Sequence, residues 1–91
     1  MLIGLVVGHV WATKKEPALN GHKLMIVQEI LTDEKKGSTF VAADSVGAGI
    51  GEKVLVVTGS TARRAAGSDE SPIDSAIVGI IDSLEIVKDG E

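Results

Sequence analysis

The sequence predicts an all-β fold, a small five-stranded OB-like barrel with at most one short helical turn. Three observations predict it. The 91 residues make one domain, spanning 1–91, with a limited core. Five segments are rich in Val, Ile and Leu, as strands are. The links between them are short, irregular and punctuated by Gly, Pro and Asn. A five-stranded, partly open Greek-key barrel is the natural architecture for that number of strands.

The first strand is expected over 2–13. Strict alternation puts Ile3, Leu5, Val7, His9 and Trp11 on one face and Leu2, Gly4, Val6, Gly8, Val10 and Ala12 on the other. Neither face is polar, so a core on one side and a partner on the other is expected. Gly4 and Gly8 leave room for close approach. A polar connection over 14–21 follows, with Pro17 and Asn20-Gly21 as turn signals, then a second strand over 22–31. The charged segment 32–38 reads as a loop, 39–44 as a short third strand, and 46–52 as a glycine-rich turn. Residues 53–58 form a fourth strand, apolar on both faces, and 59–67 a small-residue loop. Ser71-Pro72-Ile73-Asp74 has the order of a helix start, with a capping Ser, Pro at the first helical position and an acid beyond. The last strand lies within 75–88, centred on 76–81.

Composition narrows the function. Hydrophobic residues make up 44% of the chain, and mean hydropathy is +0.26. A small domain has a large relative surface to cover with polar groups, so the excess calls for a membrane or a protein partner. The longest apolar run, 1–12, is too short for a spanning helix and contains His9. No basic region precedes it as in a signal peptide. The surplus is therefore assigned to subunit contacts, and no membrane partner is expected. There is no Cys, which removes disulfides and Cys-based metal or redox sites. The net charge of -4 and the two aromatic residues, Trp11 and Phe40, are a poor basis for binding nucleic acid.

Several constellations invite chemistry. Gly47-Ala48-Gly49-Ile50-Gly51 lacks the glycine spacing and following helix of a dinucleotide fingerprint. It reads as a turn needing positive φ or tight packing, without showing which glycine takes it. Gly59-Ser60-Thr61-Ala62-Arg63-Arg64 could bind an anion through N–H and guanidinium groups. It equally fits a surface loop whose arginines pair with a neighbour's acids. Asp69, Glu70 and Asp74 lack the spacing of a calcium loop. His9 and His22 lie on separate strands without a local partner pattern, and no Ser–His–acid motif stands out. No catalytic residue, metal or cofactor is expected, and the chain reads as a non-enzyme.

In order, the chain carries Gly8-His9-Val10-Trp11-Ala12-Thr13-Lys14-Lys15, Leu19-Asn20-Gly21-His22-Lys23-Leu24 and Val41-Ala42-Ala43-Asp44. It continues with Val46-Gly47-Ala48-Gly49-Ile50-Gly51-Glu52, Val54-Leu55-Val56-Val57-Thr58-Gly59-Ser60-Thr61-Ala62-Arg63 and Pro72-Ile73-Asp74-Ser75-Ala76-Ile77-Val78-Gly79-Ile80-Ile81-Asp82. With these blocks it resembles the pentameric vertex proteins of bacterial microcompartment shells, the EutN/CcmL family. The resemblance implies a homopentamer that caps the corners of a polyhedral shell in the bacterial cytoplasm, beside hexagonal shell proteins. It also implies that Gly59, Ser60, Thr61, Ala62 and Arg63 lie at the five-fold axis as an axial loop or pore rim. Gly47, Ala48, Gly49, Gly51 and Glu52 are assigned to a turn at a subunit contact. The competing expectation is an OB-like binding module for nucleic acid or a small anionic ligand. Filter binding and ligand-dependent thermal stabilisation separate the two.

Overall fold

The computed structural model describes residues 1–12, 17–32, 35–67 and 72–85. Five strands form a closed barrel in the order β1-β2-β3-β5-β4: β1 (Leu2–Val10), β2 (Lys23–Ile30), β3 (Lys36–Asp44), β4 (Lys53–Thr58) and β5 (Ser75–Ile80). One helix, α1 (Gly59–Ala65), follows β4, and a 3-10 turn over Pro17–Leu19 precedes β2. All pairings are antiparallel except β3 with β5, which is parallel and confined to Ala43↔Ala76 and Asp44↔Ile77. That two-pair seam closes what the sequence left partly open. Ser45 Oγ adds a hydrogen bond to the Ile77 carbonyl at 3.0 Å. Closure shortens the free strand edges, which otherwise recruit other chains by backbone pairing, although 36–42 of β3 lie beyond the seam with β5.

The core follows the alternation of the strands. Val6, Met25, Val27, Ala42, Val54, Val56 and Ile77 fill the barrel, joined by Ala48 from the β3–β4 turn. Gly4 pairs with Glu29 on one side and Val54 on the other, and it faces Val27. A Cβ at Gly4 would collide with Val27 Cγ1, so the barrel closes around a missing side chain.

A bulge in β1 changes which residues share a face. The register moves from Val6↔Val27 to Gly8↔Ile26, leaving Val7 as the extra residue. Beyond it His9 pairs with the buried Met25, and opposed residues share a sheet face. His9 therefore lies on the opposite face from Ile3 and Leu5, contrary to strict alternation. Its ring stacks on Trp11, with centroids 5.7 Å apart. β1 ends at Val10, short of the expected 2–13 span, and residue 13 is outside the described residues.

Three other expectations are corrected. β3 begins at Lys36 rather than at 39, because Lys36 pairs with Ile30 across a second bulge. Backbone bonds from Leu31 and Thr32 N–H to the Lys35 carbonyl, both 3.0 Å, join the strand ends. The helix lies at Gly59–Ala65, expected as loop, and its seven residues make about two turns. The residues expected to start a helix do not form one at 72–74, and Ser71 is outside the described residues. Gly and Ser disguise the start of α1, but Ala62, Arg63, Arg64 and Ala65 are good helix formers.

α1 packs on the outside of the barrel. Ala62, Val57 and Ala76 form a second buried cluster, with Val78 against it. Gly59, at φ +66, turns the chain out of β4, and its N–H donates to the Asp74 carbonyl at 2.9 Å. Thus Val57, on the outer face of β4, is covered by the chain's own helix, not by a partner.

Candidate functional site

The β3–β4 turn is fixed by two carboxylates. Asp44, at the end of β3, is 9% exposed. Its Oδ1 accepts from the N–H of Val46 at 3.0 Å and of Gly47 at 3.1 Å, and its Oδ2 from Ala48 at 2.8 Å. Glu52 Oε1 accepts from Gly49 N–H at 2.7 Å. Gly51 N–H donates to the Val6 carbonyl at 2.8 Å, and Val6 N–H to the Glu52 carbonyl at 3.0 Å. The turn is thereby tied to β1 at its bulge. A hydrogen bond to a charged group contributes about 1.5–3 kcal/mol, so this is a stiff element. Lys23 Nζ donates to the Ala48 carbonyl at 3.5 Å.

These bonds divide the residues assigned to a subunit contact. Ala48 is fully buried among the core side chains, so it plugs the barrel and its side chain meets no partner. Gly47 and Gly51 are exposed and take the positive φ, +83 and +93, that favours glycine. Gly49 has no positive φ, and a Cβ there would stand 3.4 Å from Glu52 Oε1, an ordinary contact. Glu52 is half-buried and holds the turn from its far side. Sequence reasoning missed Asp44 and Ile50. An Asp just before a Val-Gly-Ala-Gly run is the signal of a side chain capping its own turn. Ile50 is 59% exposed and stands between Gly49 and Gly51.

The residues assigned to an axial rim form the beginning of α1. Gly59, Ser60 and Thr61 are exposed, Ala62 is buried against the barrel, and Arg63 is half-buried. Ala62 therefore anchors the helix and lines nothing. Thr58 makes no side-chain cap to α1. The C-terminal end closes through Ala66 N–H to the Ala62 carbonyl and Gly67 N–H to the Arg64 carbonyl, both 3.0 Å, with Gly67 at φ +107.

Elsewhere, a cleft of about 140 Å³ lies outside β2 and β3, lined by Leu19, Leu24, Val41, Ala43, Pro72, Ile73, Asp74 and Ser75. Phe40 packs against the core, which leaves Trp11, 88% exposed, as the one aromatic ring open to stack on a base. Among the described residues, no helix is long and apolar enough to cross a membrane, and no three His, Asp or Glu side chains gather as a metal site.

Comparison with known proteins follows the same barrel along the chain. The family described as "Ethanolamine utilisation protein EutN/carboxysome" matches residues 1–82. The microcompartment shell vertex protein GrpN of Rhodospirillum rubrum is 48% identical over 89 residues, covering 96% of this chain and 99% of the relative. The carboxysome shell vertex protein CcmL of Gloeobacter violaceus is 42% identical over 90 residues, covering 94% of this chain and 87% of the relative. The solved structure of GrpN from R. rubrum, described as a pentameric microcompartment shell protein, matches with a TM-score of 0.82 at 46% identity, over 97% of this chain and all (100%) of that one. The chain belongs to the EutN/CcmL family of microcompartment shell vertex proteins, which are structural proteins rather than enzymes.

Proposed function

We propose that this protein assembles as a ring of five and fills the corners of a polyhedral microcompartment shell in the bacterial cytoplasm. The observation that carries the reading is the near full-length match of its closed barrel to a pentameric shell protein. A flat sheet of hexagonal tiles cannot close. Replacing a six-fold tile by a five-fold one removes a wedge and introduces curvature, so the corner protein acts through its shape and its interfaces. Its neighbours in the shell are hexagonal shell proteins, and no bond is made or broken.

A head-to-tail ring needs two different surfaces on each protomer. The exposed apolar residues Val7, Trp11, Val41, Val46 and Ile50 supply material for contacts more hydrophobic than ordinary surface. In this reading Gly59, Ser60 and Thr61 surround the axis, and the turn holding Gly47, Gly49, Gly51 and Glu52 meets the adjacent subunit. Arg63 pairs with a carboxylate across the interface, because five unpaired guanidinium groups near one axis would repel. Native mass spectrometry tests the ring: the expected species has five times the 9.4 kDa protomer mass. A lone, well-folded protomer at high concentration would overturn it.

A further inference from the structure

We infer that Asp44 and Glu52 are positioning residues for assembly. By gripping the β3–β4 turn through its backbone, they present Ile50 as a rigid apolar anchor to a second copy of this chain. The inference rests on the ring reading and names the side chain on which one half of each contact depends.

The accounting of the turn's amides leads to this. Four successive N–H groups, from Val46 to Gly49, are taken by the two carboxylates at 2.7–3.1 Å. Beyond Ile50, the N–H groups of Gly51 and Glu52 go to the carbonyls of Val6 and Gly49. Closing the barrel requires only that Ala48 reach the core. It does not require Glu52 to hold Gly49 beyond that plug, nor an Ile 59% exposed at the tip. A β-branched side chain on a fixed backbone has few rotamers left to lose, so its burial by a partner carries a small entropic cost. Glycine on both sides of Ile50 leaves no side chain to fend off an approaching backbone. The acids of the turn point inward to N–H groups, which leaves an uncharged tip, as the centre of an interface requires.

A second copy is the occupant because a head-to-tail ring matches a projecting patch on one protomer to a different, receiving patch on the next. A solved structure that matches 97% of this chain is described as a pentameric shell protein. A hexagonal shell protein is the rival occupant, and the test separates the two.

The experiment measures ring dissociation on dilution by native mass spectrometry, with circular dichroism confirming the fold. Ile50→Ala is expected to raise the half-dissociation concentration by roughly tenfold or more, as loss of an anchor does. Asp44→Asn sets an amide NH2 against one of three backbone N–H groups and is expected to act in the same direction. Glu52→Gln keeps an acceptor for Gly49 and is expected to behave as wild type, whereas Glu52→Ala is not. If Asp44 works through Ile50, adding Asp44→Asn to Ile50→Ala costs the ring little more. Equal effects of Asp44→Asn in both backgrounds would overturn the positioning role. A ring indifferent to Ile50→Ala would overturn the anchor while leaving the pentamer standing, and shells that then fail to incorporate it would assign the tip to the hexagonal partner. A wild-type chain that never forms rings would sink the underlying function as well as the inference.

Discussion

Gly4→Ala is the substitution whose cost can be worked most directly from the structure. A methyl at Gly4 enters the space of Val27 Cγ1, with the Gln28 carbonyl oxygen 3.4 Å away. Val27 is fully buried and belongs to the main core, so it has no free volume to retreat into. Its β-branched side chain also has few alternative rotamers. Overpacking of this kind costs about 1–3 kcal/mol. Against it stands a gain of about 0.4–1 kcal/mol, since Ala has less freedom than Gly to lose on folding and this φ suits it. The net expectation is a loss of about 1–2 kcal/mol. For a domain of this size that lowers Tm by about 5–15 °C, read by circular dichroism at one fixed protomer concentration because assembly shifts Tm. Val27→Ala alone removes two buried methyls and leaves a cavity, a loss of about 2–3 kcal/mol. Combined with Gly4→Ala, the new methyl enters the space that Cγ1 vacates. The double variant should be at least about 1 kcal/mol more stable than the sum of the singles implies. A Gly4→Ala protein within ~1 °C of wild type, or strictly additive losses, would refute the close approach at the β1–β2–β4 junction, since the expected shift is several-fold larger.

Two further outcomes are expected. Arg63→Ala should weaken the ring, seen as dissociation at higher protein concentration, because a guanidinium–carboxylate contact is lost; an unchanged ring on dilution would remove Arg63 from the interface. Gly47→Ala and Gly51→Ala should each cost about 1–2 kcal/mol, since both force an L side chain into left-handed backbone, whereas Gly49→Ala should be nearly neutral. Chemical denaturation of the three variants side by side checks the contrast, and equal effects at Gly49 and Gly51 would contradict the turn geometry.

The strands were legible because Val, Ile and Leu recur where a pleated surface needs them, and Lys53–Thr58 emerged with its bounds intact. What the sequence hid depends on long-range geometry. The bulge at Val7 arises from pairing with β2 and leaves no local mark, yet it moves His9 to the other face. The first turn of α1 is written in Gly, Ser and Thr, residues that also make loops. Its helical state is decided by Ala62 docking on Val57 and Ala76, which come from two different strands. The start of β3 was obscured by charge and by Gly37, although an edge rich in Lys is compatible with pairing when the partner strand supplies the register. At the candidate site, the glycines announced a special turn. The division of labour within it, Ala48 inward and Ile50 outward, follows from three bonds to Asp44; the Asp before the run signals a capped turn but not which side chain turns inward.

The apolar surplus can now be apportioned, and the apportionment bears on assembly. Part of it is spent within the chain: α1 covers the outer side of Val57 and Ala76, so an outward-facing Val in β4 is not in itself a sign of a partner. Another part lines the cleft outside β2 and β3, where Leu24 and Ala43 lie beside the exposed Val41. A third part stands at the bulge and the turn, Val7, Val46 and Ile50, joined through the bonds between Val6 and residues 51 and 52. The barrel leaves little strand edge through which copies could add by backbone pairing: among the described residues, 36–42 of β3, beyond its two-pair seam with β5, lack a strand partner on one side. In the proposed ring, association proceeds through side chains on fixed turns and faces, where the contact angle is set by rigid geometry. That distinction matters for a corner protein, because an open edge would extend into a sheet or fibre, whereas contacts of fixed angle close into a ring with a definite number of members.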